Sequence, residues 1–264
     1  MNNETVLLTG ASSGIGRELA KCFAADGCRL ILVARTISAL ESLARELRER
    51  YGIEVMVRAA DLADPGVPAE LYAAFKQSGF SVDVLINNAG FGAHGRMLEL
   101  PLARQLDMVQ VNVTALTHLT RLFLPDMVSR RRGGVLNVAS TAAFQPGPGM
   151  GVYYATKAYV LSFTEALAEE LRGTGVTATA LCPGPTADTN FGVAARFKGP
   201  DMLTKGALPA ATVARFGHQA FRRGRCVAIP GMRNRLLTFA VRLAPRSVIR
   251  KAVRAINDMR SAER

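Results

Sequence analysis

Apolar residues along this chain come in two alternating forms: short continuous runs, and longer stretches with apolar positions three or four apart. Residues 5–9, Thr-Val-Leu-Leu-Thr, are a continuous run that leads straight into Gly10-Ala-Ser-Ser-Gly14-Ile-Gly16. Residues 17–26 then place Leu19, Ala20, Phe23 and Ala24 on one helical face and stop at Gly27. The alternation continues with a strand at 29–34, a helix at 38–50, a strand at 54–59, a helix at 67–78 and a strand at 82–86. A long helical pattern covers 102–130, where Pro125 is expected to break or kink it near its end, followed by a strand at 135–139, a helix at 151–171 and a strand at 176–181. Strands that are nearly continuous apolar runs are buried on both faces. The pattern therefore predicts a doubly wound α/β fold, a parallel sheet covered by helices on each side.

Composition adds limits. The 264 residues, 49% hydrophobic and 20% charged, fit one large globular domain. No basic n-region precedes the first apolar run and no apolar run approaches the ~20 residues of a membrane span, so a cytoplasmic location is expected. Cys22, Cys28, Cys182 and Cys226 form neither a C-x-x-C pair nor a metal-ligand cluster, which points to free thiols and no metal site. The net charge of +12 is concentrated at one end: residues 222–264 hold 12 basic and two acidic side chains (12 − 2 = +10), and the rest 21 and 19 (21 − 19 = +2).

Ligands of doubly wound sheets bind beyond the carboxyl ends of the strands, and every chemically suggestive motif here lies at such an end. The turn Gly10-Ala11-Ser12-Ser13-Gly14-Ile15-Gly16 joins strand one to a helix. Glycines there let backbone approach a pyrophosphate, and the helix N-terminus offers free N–H groups. Strand two ends at Ala34-Arg35, without the acidic residue that would hold the ribose 2′-hydroxyl of NAD. Arg35, with Arg17 in the first helical turn, offers guanidinium groups suited to a 2′-phosphate, unless both are merely solvated. NADP(H) is thus the preferred cofactor, with NAD(H) left open. Strand five ends at Ser140, and a Gly/Pro-rich loop leads to Tyr153 and Lys157, which share one helical face. A nearby ammonium favours the phenolate, making Tyr153 a proton donor near neutrality, while Ser140 can polarise a carbonyl. Tyr154 points about 100° away and is expected to pack.

These residues together resemble the short-chain dehydrogenase/reductase family: Thr9 to Gly16, Asp61-Leu62, Asn87-Asn88-Ala89-Gly90, Asn112, Ser140, Tyr153-x-x-x-Lys157 and Pro183-Gly184, in the family's order across residues 5–190. The resemblance implies a Rossmann-like doubly wound parallel sheet in a single domain with a basic helical C-terminal extension. It implies a catalytic set of Asn112, Ser140, Tyr153 and Lys157, in which Asn112 holds a water of a proton relay and Lys157 also bonds the nicotinamide ribose. Asp61 and Leu62 would flank the adenine, Asn88, Ala89 and Gly90 would pass the adenosine ribose, and Ser12, Ser13, Ile15, Pro183 and Gly184 would complete the cofactor cleft. Family members carry a carboxamide-binding threonine five residues after the proline. Asp188 stands there, between Thr186 and Thr189, and Thr186 is the expected contact.

The substrate loops hold Phe91, His94, Phe144, Met150, Phe191 and Phe197, an apolar set that suits a hydrophobic ketone, aldehyde or secondary alcohol. The expected layout is a dehydrogenase domain over 1–232, with a substrate insertion near 185–210, and a basic extension over 233–264. Residues 246–260 suit an amphipathic helix with Ile249, Val253, Ile256 and Met259 on one side. That extension has three readings: packing on the body or a partner subunit, peripheral contact with an anionic membrane, or nucleic-acid binding, for which no module is present. The expected protein is an NADP(H)-dependent oxidoreductase, assembled as a homo-oligomer, dimer or tetramer. The alternative is a cofactor-binding sensor or scaffold without turnover. An epimerase or dehydratase of nucleotide sugars is disfavoured by the glycine spacing and the length.

Overall fold

The structure, a computed structural model, describes residues 4–77, 79–195 and 206–259, without the side chains of Val193, Ala194 and Met259. Phe197, the end of the third helix at Ser78 and the expected facing of Met259 lie outside what is described.

The continuous apolar runs form β1 (Thr5–Thr9), β2 (Arg29–Ala34), β3 (Val55–Ala59), β4 (Val84–Asn87), β5 (Gly134–Val138) and β6 (Thr177–Leu181). Between them lie α1 (Gly14–Ala25), α2 (Ile37–Tyr51), α3 (Val67–Gln77), α4 (Leu102–Val109), α5 (Leu116–Ser129) and α6 (Gly151–Glu170). Further along are short β7 (Thr186–Ala187), α7 (Phe191–Ala194), β8 (Leu208–Pro209), α8 (Ala210–Arg222), β9 (Val227–Ala228), α9 (Met232–Leu243) and α10 (Arg246–Met259). The main sheet runs β3-β2-β1-β4-β5-β6-β9 and every pair in it is parallel. Strand order reverses between β1 and β4, so a cleft opens where Thr9 and Asn87 end their strands.

The alternate residues of each strand feed two cores. On one face Val6, Leu8, Leu30 and Leu32 meet Leu19 and Phe23 of α1, Leu43 of α2 and Phe221 of α8. On the other, Leu7, Ile31 and Leu85 meet Phe75 of α3 and Leu119, Phe123 and Met127 of α5. That burial explains why the expectation for Pro125 is corrected as far as a break goes: α5 runs through it to Ser129. A proline inside a helix costs about 3 kcal/mol, whereas each large apolar side chain buried on the sheet returns roughly 1.5–3 kcal/mol. The irregularity lies upstream instead, where Gln110–Ala115 forms a π-helical turn between α4 and α5. The seventh strand, β9, has two residues, too few for any pattern to register.

The C-terminal helices lie against the body. Ile249 and Val253 of α10 are buried with Ala93, Met150, Tyr153 and Tyr154. Within the described residues, no helix is long and apolar enough to cross a membrane.

Candidate active site

Building from β1 outward, Thr9 closes the strand with its hydroxyl. Its Oγ1 accepts the N–H groups of Asn88 and Ala89, both at 3.1 Å, and donates to the Ile86 carbonyl at 3.2 Å. Asn88 Nδ2 donates in return to the Thr9 and Gly10 carbonyls at 3.0 Å each, tying the glycine turn to the end of β4. Gly10 has φ 67°, and a Cβ there would stand 2.7 Å from Asn88 Nδ2. A Cβ on Gly16 would run into the Gly10 carbonyl and Asn88 Nδ2. The turn thus stays narrow and bare beside the first turn of α1, which has no acidic residue and whose N-cap, Ser13, makes no side-chain cap. A helix end of this kind favours an anion such as a pyrophosphate, and the bare glycine cradle beside it fits a dinucleotide.

At the far end of the cleft, Arg35 is exposed just past β2, and strand register places the exposed Arg58 of β3 opposite Val33. Arg17, the other expected phosphate ligand, bonds Glu46 of α2 at 2.7 Å. Asp61 accepts the Ala63 N–H at 3.1 Å, and buried Leu62 lies beside it.

The π-helical turn projects Asn112 inward, where it is 1% exposed. Its amide clamps Phe91 from both sides: Oδ1 accepts the Phe91 N–H at 3.1 Å and Nδ2 donates to the Phe91 carbonyl at 3.0 Å. Nδ2 also reaches Thr156 Oγ1 at 3.0 Å, on the helix that carries Tyr153 and Lys157. A Cβ on Gly90 would stand 2.9 Å from Asn112 Oδ1 and 3.4 Å from Lys157 Nζ, so these three residues meet. Lys157 is buried, donates to the Val138 carbonyl at 2.7 Å, and lies 5.9 Å from the centre of the Tyr153 ring. Burial pulls its ammonium down to about 8. The neighbouring Cys182 thiol is pushed up to about 12, also by burial, so it is neutral and supplies no counter-charge.

Ser140, just past β5, uses Oγ to accept the Ala142 N–H at 3.1 Å. Its own hydrogen points to the Pro183 carbonyl at 3.4 Å, a long bond that a better acceptor can displace. Past Pro183, Gly184 lies under Asn234 of α9: a Cβ there would be 2.5 Å from Asn234 Oδ1. Asp188 holds the left-handed φ of 58°, and the next residue, Thr189, lies over the glycine turn, its methyl 3.0 Å from where a Gly14 Cβ would be. Thr186, the expected cofactor contact, bonds the Gly184 carbonyl at 3.0 Å.

On the substrate side, Phe191 lies 5.2 Å from the Tyr153 ring, and Met150, Phe91 and Tyr153 share one apolar cluster. Phe144 is placed elsewhere, in a separate cluster with Leu116, Leu161 and Cys182. Tyr154 packs with its ring against Gly147, as its helical position implied. His94 Nε2 meets the Asn257 carbonyl at 3.1 Å, and Asn257 Nδ2 bonds the Pro148 carbonyl at 2.8 Å. A cavity of about 220 Å³ beside Met150 is lined by Ala93, Leu100, Met108 and Val152, among others. Sequence reasoning missed Thr156, Asn234 and Asn257, and it named Thr189 only as the alternative to Thr186. Among the described residues no group of His, Cys, Asp or Glu could hold a metal ion.

Comparison with known proteins identifies the family. The short chain dehydrogenase family model matches residues 4–197. A putative ketoacyl reductase of Streptomyces coelicolor is 38% identical over 186 residues, 69% of this chain and 70% of that protein. A short-chain dehydrogenase from Sphingobium yanoikuyae, solved in complex with NADPH, superposes with TM-score 0.82 at 33% identity, covering 90% of this chain and 93% of that one. The bulky-bulky ketone specific alcohol dehydrogenase of Comamonas testosteroni superposes with TM-score 0.78 at 30% identity, covering 96% and 97%.

Proposed function

This chain belongs to the short chain dehydrogenase family, and on that premise we propose that it is an NADP(H)-dependent oxidoreductase acting between a hydrophobic ketone or aldehyde and the corresponding alcohol. The observation that carries the reading is the meeting of Lys157, Asn112 and Gly90 beside Tyr153, next to a glycine cradle shaped for a dinucleotide. The nicotinamide, when bound, supplies or takes the hydride. Everything else falls to the chain. In the reducing direction Tyr153 gives its phenolic proton to the carbonyl oxygen, and in the oxidising direction it takes the hydroxyl proton. Ser140 turns its hydrogen from the distant Pro183 carbonyl to the same oxygen and stabilises the charge that develops there. Lys157, a buried cation, holds the phenol in its reactive range and supports the cofactor ribose. Asn112 fixes the Phe91 backbone and α6 relative to one another and serves the proton relay.

Arg35 supports the choice of NADP(H), with the exposed Arg58 a second guanidinium on the neighbouring strand, and the Sphingobium relative was solved with NADPH. Phe91, Met150 and Phe191 around Tyr153 support an apolar substrate, in line with the ketone-specific relative. We take the protein to be a homo-oligomer. The test is to follow oxidation of NADPH and NADH side by side over a series of aliphatic, aromatic and β-keto compounds. Tyr153→Phe is expected to bind NADPH normally and lose at least about 100-fold in kcat. Wild-type turnover in that variant sinks the mechanism. NADPH binding with no ketone turned over favours a sensor.

A further inference from the structure

Helix α9 faces the wrong way for a helix in water. The stripe it turns toward the body is Asn234, Thr238 and Val241, spaced four and three residues apart, and Thr238 is buried. Its large apolar side chains point outward: Met232, Leu236, Leu237, Phe239 and Leu243 are each between 56% and 73% exposed. Helix α10 follows across Pro245, seats Ile249, Val253 and Asn257 on the body, and leaves Val248 and Ile256 outside. Large apolar groups gathered in this way mark a surface that has a partner.

Charge says which partner. Residues 232–259 hold seven basic side chains and one acid, Asp258, which pairs with Arg254 at 3.4 Å. Pairing this surface with that of a second copy would set cations against cations, because a two-fold contact repeats the same patch on both sides. A nucleic acid would use the cations but leave five large apolar side chains of α9 without an apolar environment. An anionic lipid surface satisfies both sets at once, with arginines and lysine at the headgroup phosphates and leucines and phenylalanine at the acyl boundary.

We propose that α9 and α10 form a docking surface for anionic membranes, lying in the interface without crossing it. The same two helices cover the site. Asn234 of α9 lies over Gly184, and Asn257 of α10 holds Pro148 and meets His94 on the substrate loops. Resting on the oxidoreductase reading, the substrate class is a carbonyl compound dissolved in that lipid, reaching the site beneath α10. Docking itself does not depend on that reading.

The test uses the full chain and vesicles of phosphatidylcholine alone or with phosphatidylglycerol, read by flotation in the absence of cofactor and substrate. Binding is expected to the anionic vesicles only, and to weaken as salt is raised. Leu236→Ser with Phe239→Ser, and separately Arg250→Glu with Lys251→Glu, are each expected to lower vesicle partitioning roughly tenfold or more. Both doubly substituted proteins should keep NADPH oxidation with a water-soluble ketone. Equal binding to both vesicle types, or binding to neither, overturns the proposal. So does a dimer in sedimentation that the Leu236→Ser, Phe239→Ser protein converts to monomer, since the face would then belong to a second copy. A protein that binds vesicles but reduces no ketone refutes the activity and leaves the docking surface standing.

Discussion

Lys157 illustrates how much a single residue can conceal. Its spacing from Tyr153 is legible, because positions four apart on a helix share a face. Its burial is not legible, because a lysine at that point of an amphipathic helix reads equally well as solvated. Burial costs the charged form, and its ammonium sits near 8 in the folded chain against 10.5 for a free lysine. The sign follows from proton counts. Below pH 8 both states carry the proton and the folded chain bears the full penalty. Between 8 and 10.5 the unfolded chain binds more protons than the folded one, so stability rises with pH. Lys157→Met removes the penalty, roughly 3 kcal/mol for a shift of this size, less what is lost when the Val138 carbonyl loses its donor. The variant is expected to melt above the parent at pH 7, with the gap closing as pH climbs from 8 to 10.5, while turnover is lost. Thermal melts across that range check it, and a gap that widens refutes the account.

Among the elements, the π-helical turn over Gln110–Ala115 does most to assemble the site, and nothing in the apolar pattern announced it. A single long amphipathic stretch is compatible with one wider turn, since the helices on either side keep their own faces. The alternation of strand and helix was legible because most strands are nearly continuous apolar runs, a consequence of burial on both sheet faces, whereas the outer strand β3 carries the exposed Arg58. What escaped was short or set by tertiary contact: β9 with its two residues, and the left-handed Asp188 next to Thr189, which lies over the glycine turn. Gly90 shows how the π-turn matters. It was legible as part of the Asn-Asn-Ala-Gly motif, but its reason is the approach of Asn112 and Lys157. Gly90→Ala would put a methyl 2.9 Å from an Oδ1 that the Phe91 N–H holds in place. The clamp must shift, at a cost of about 1–3 kcal/mol. We expect a lower melting temperature and a fall in kcat larger than any change in KM for the ketone. Unchanged kinetics would remove Asn112 from the site's working parts.

For the whole molecule, charge and apolar exposure set apart two surfaces, the basic helices α9 and α10 and the exposed side of α4. The body outside residues 222–264 carries only +2 (21 − 19), so its contacts are not governed by repulsion between copies. On that body Leu102, Leu106 and Val109 line α4 at positions i, i+4 and i+7, all exposed. Nearby on α6, exposed Tyr159 stacks on Phe163 at 5.7 Å and shares a hydrogen bond with Thr117 of α5. A stripe of this kind, straight and apolar on a rigid helix, suits a two-fold contact in which α4 meets its own copy. The basic helices α9 and α10 suit that purpose less well, because a two-fold contact there sets like charges against each other. Sedimentation is therefore expected to find a homodimer at low salt and high salt alike, because its interface is apolar. Leu106→Arg should give a monomer that still binds anionic vesicles. A dimer that persists in Leu106→Arg places the assembly surface elsewhere, and a monomer that no longer binds vesicles means that the two faces work together.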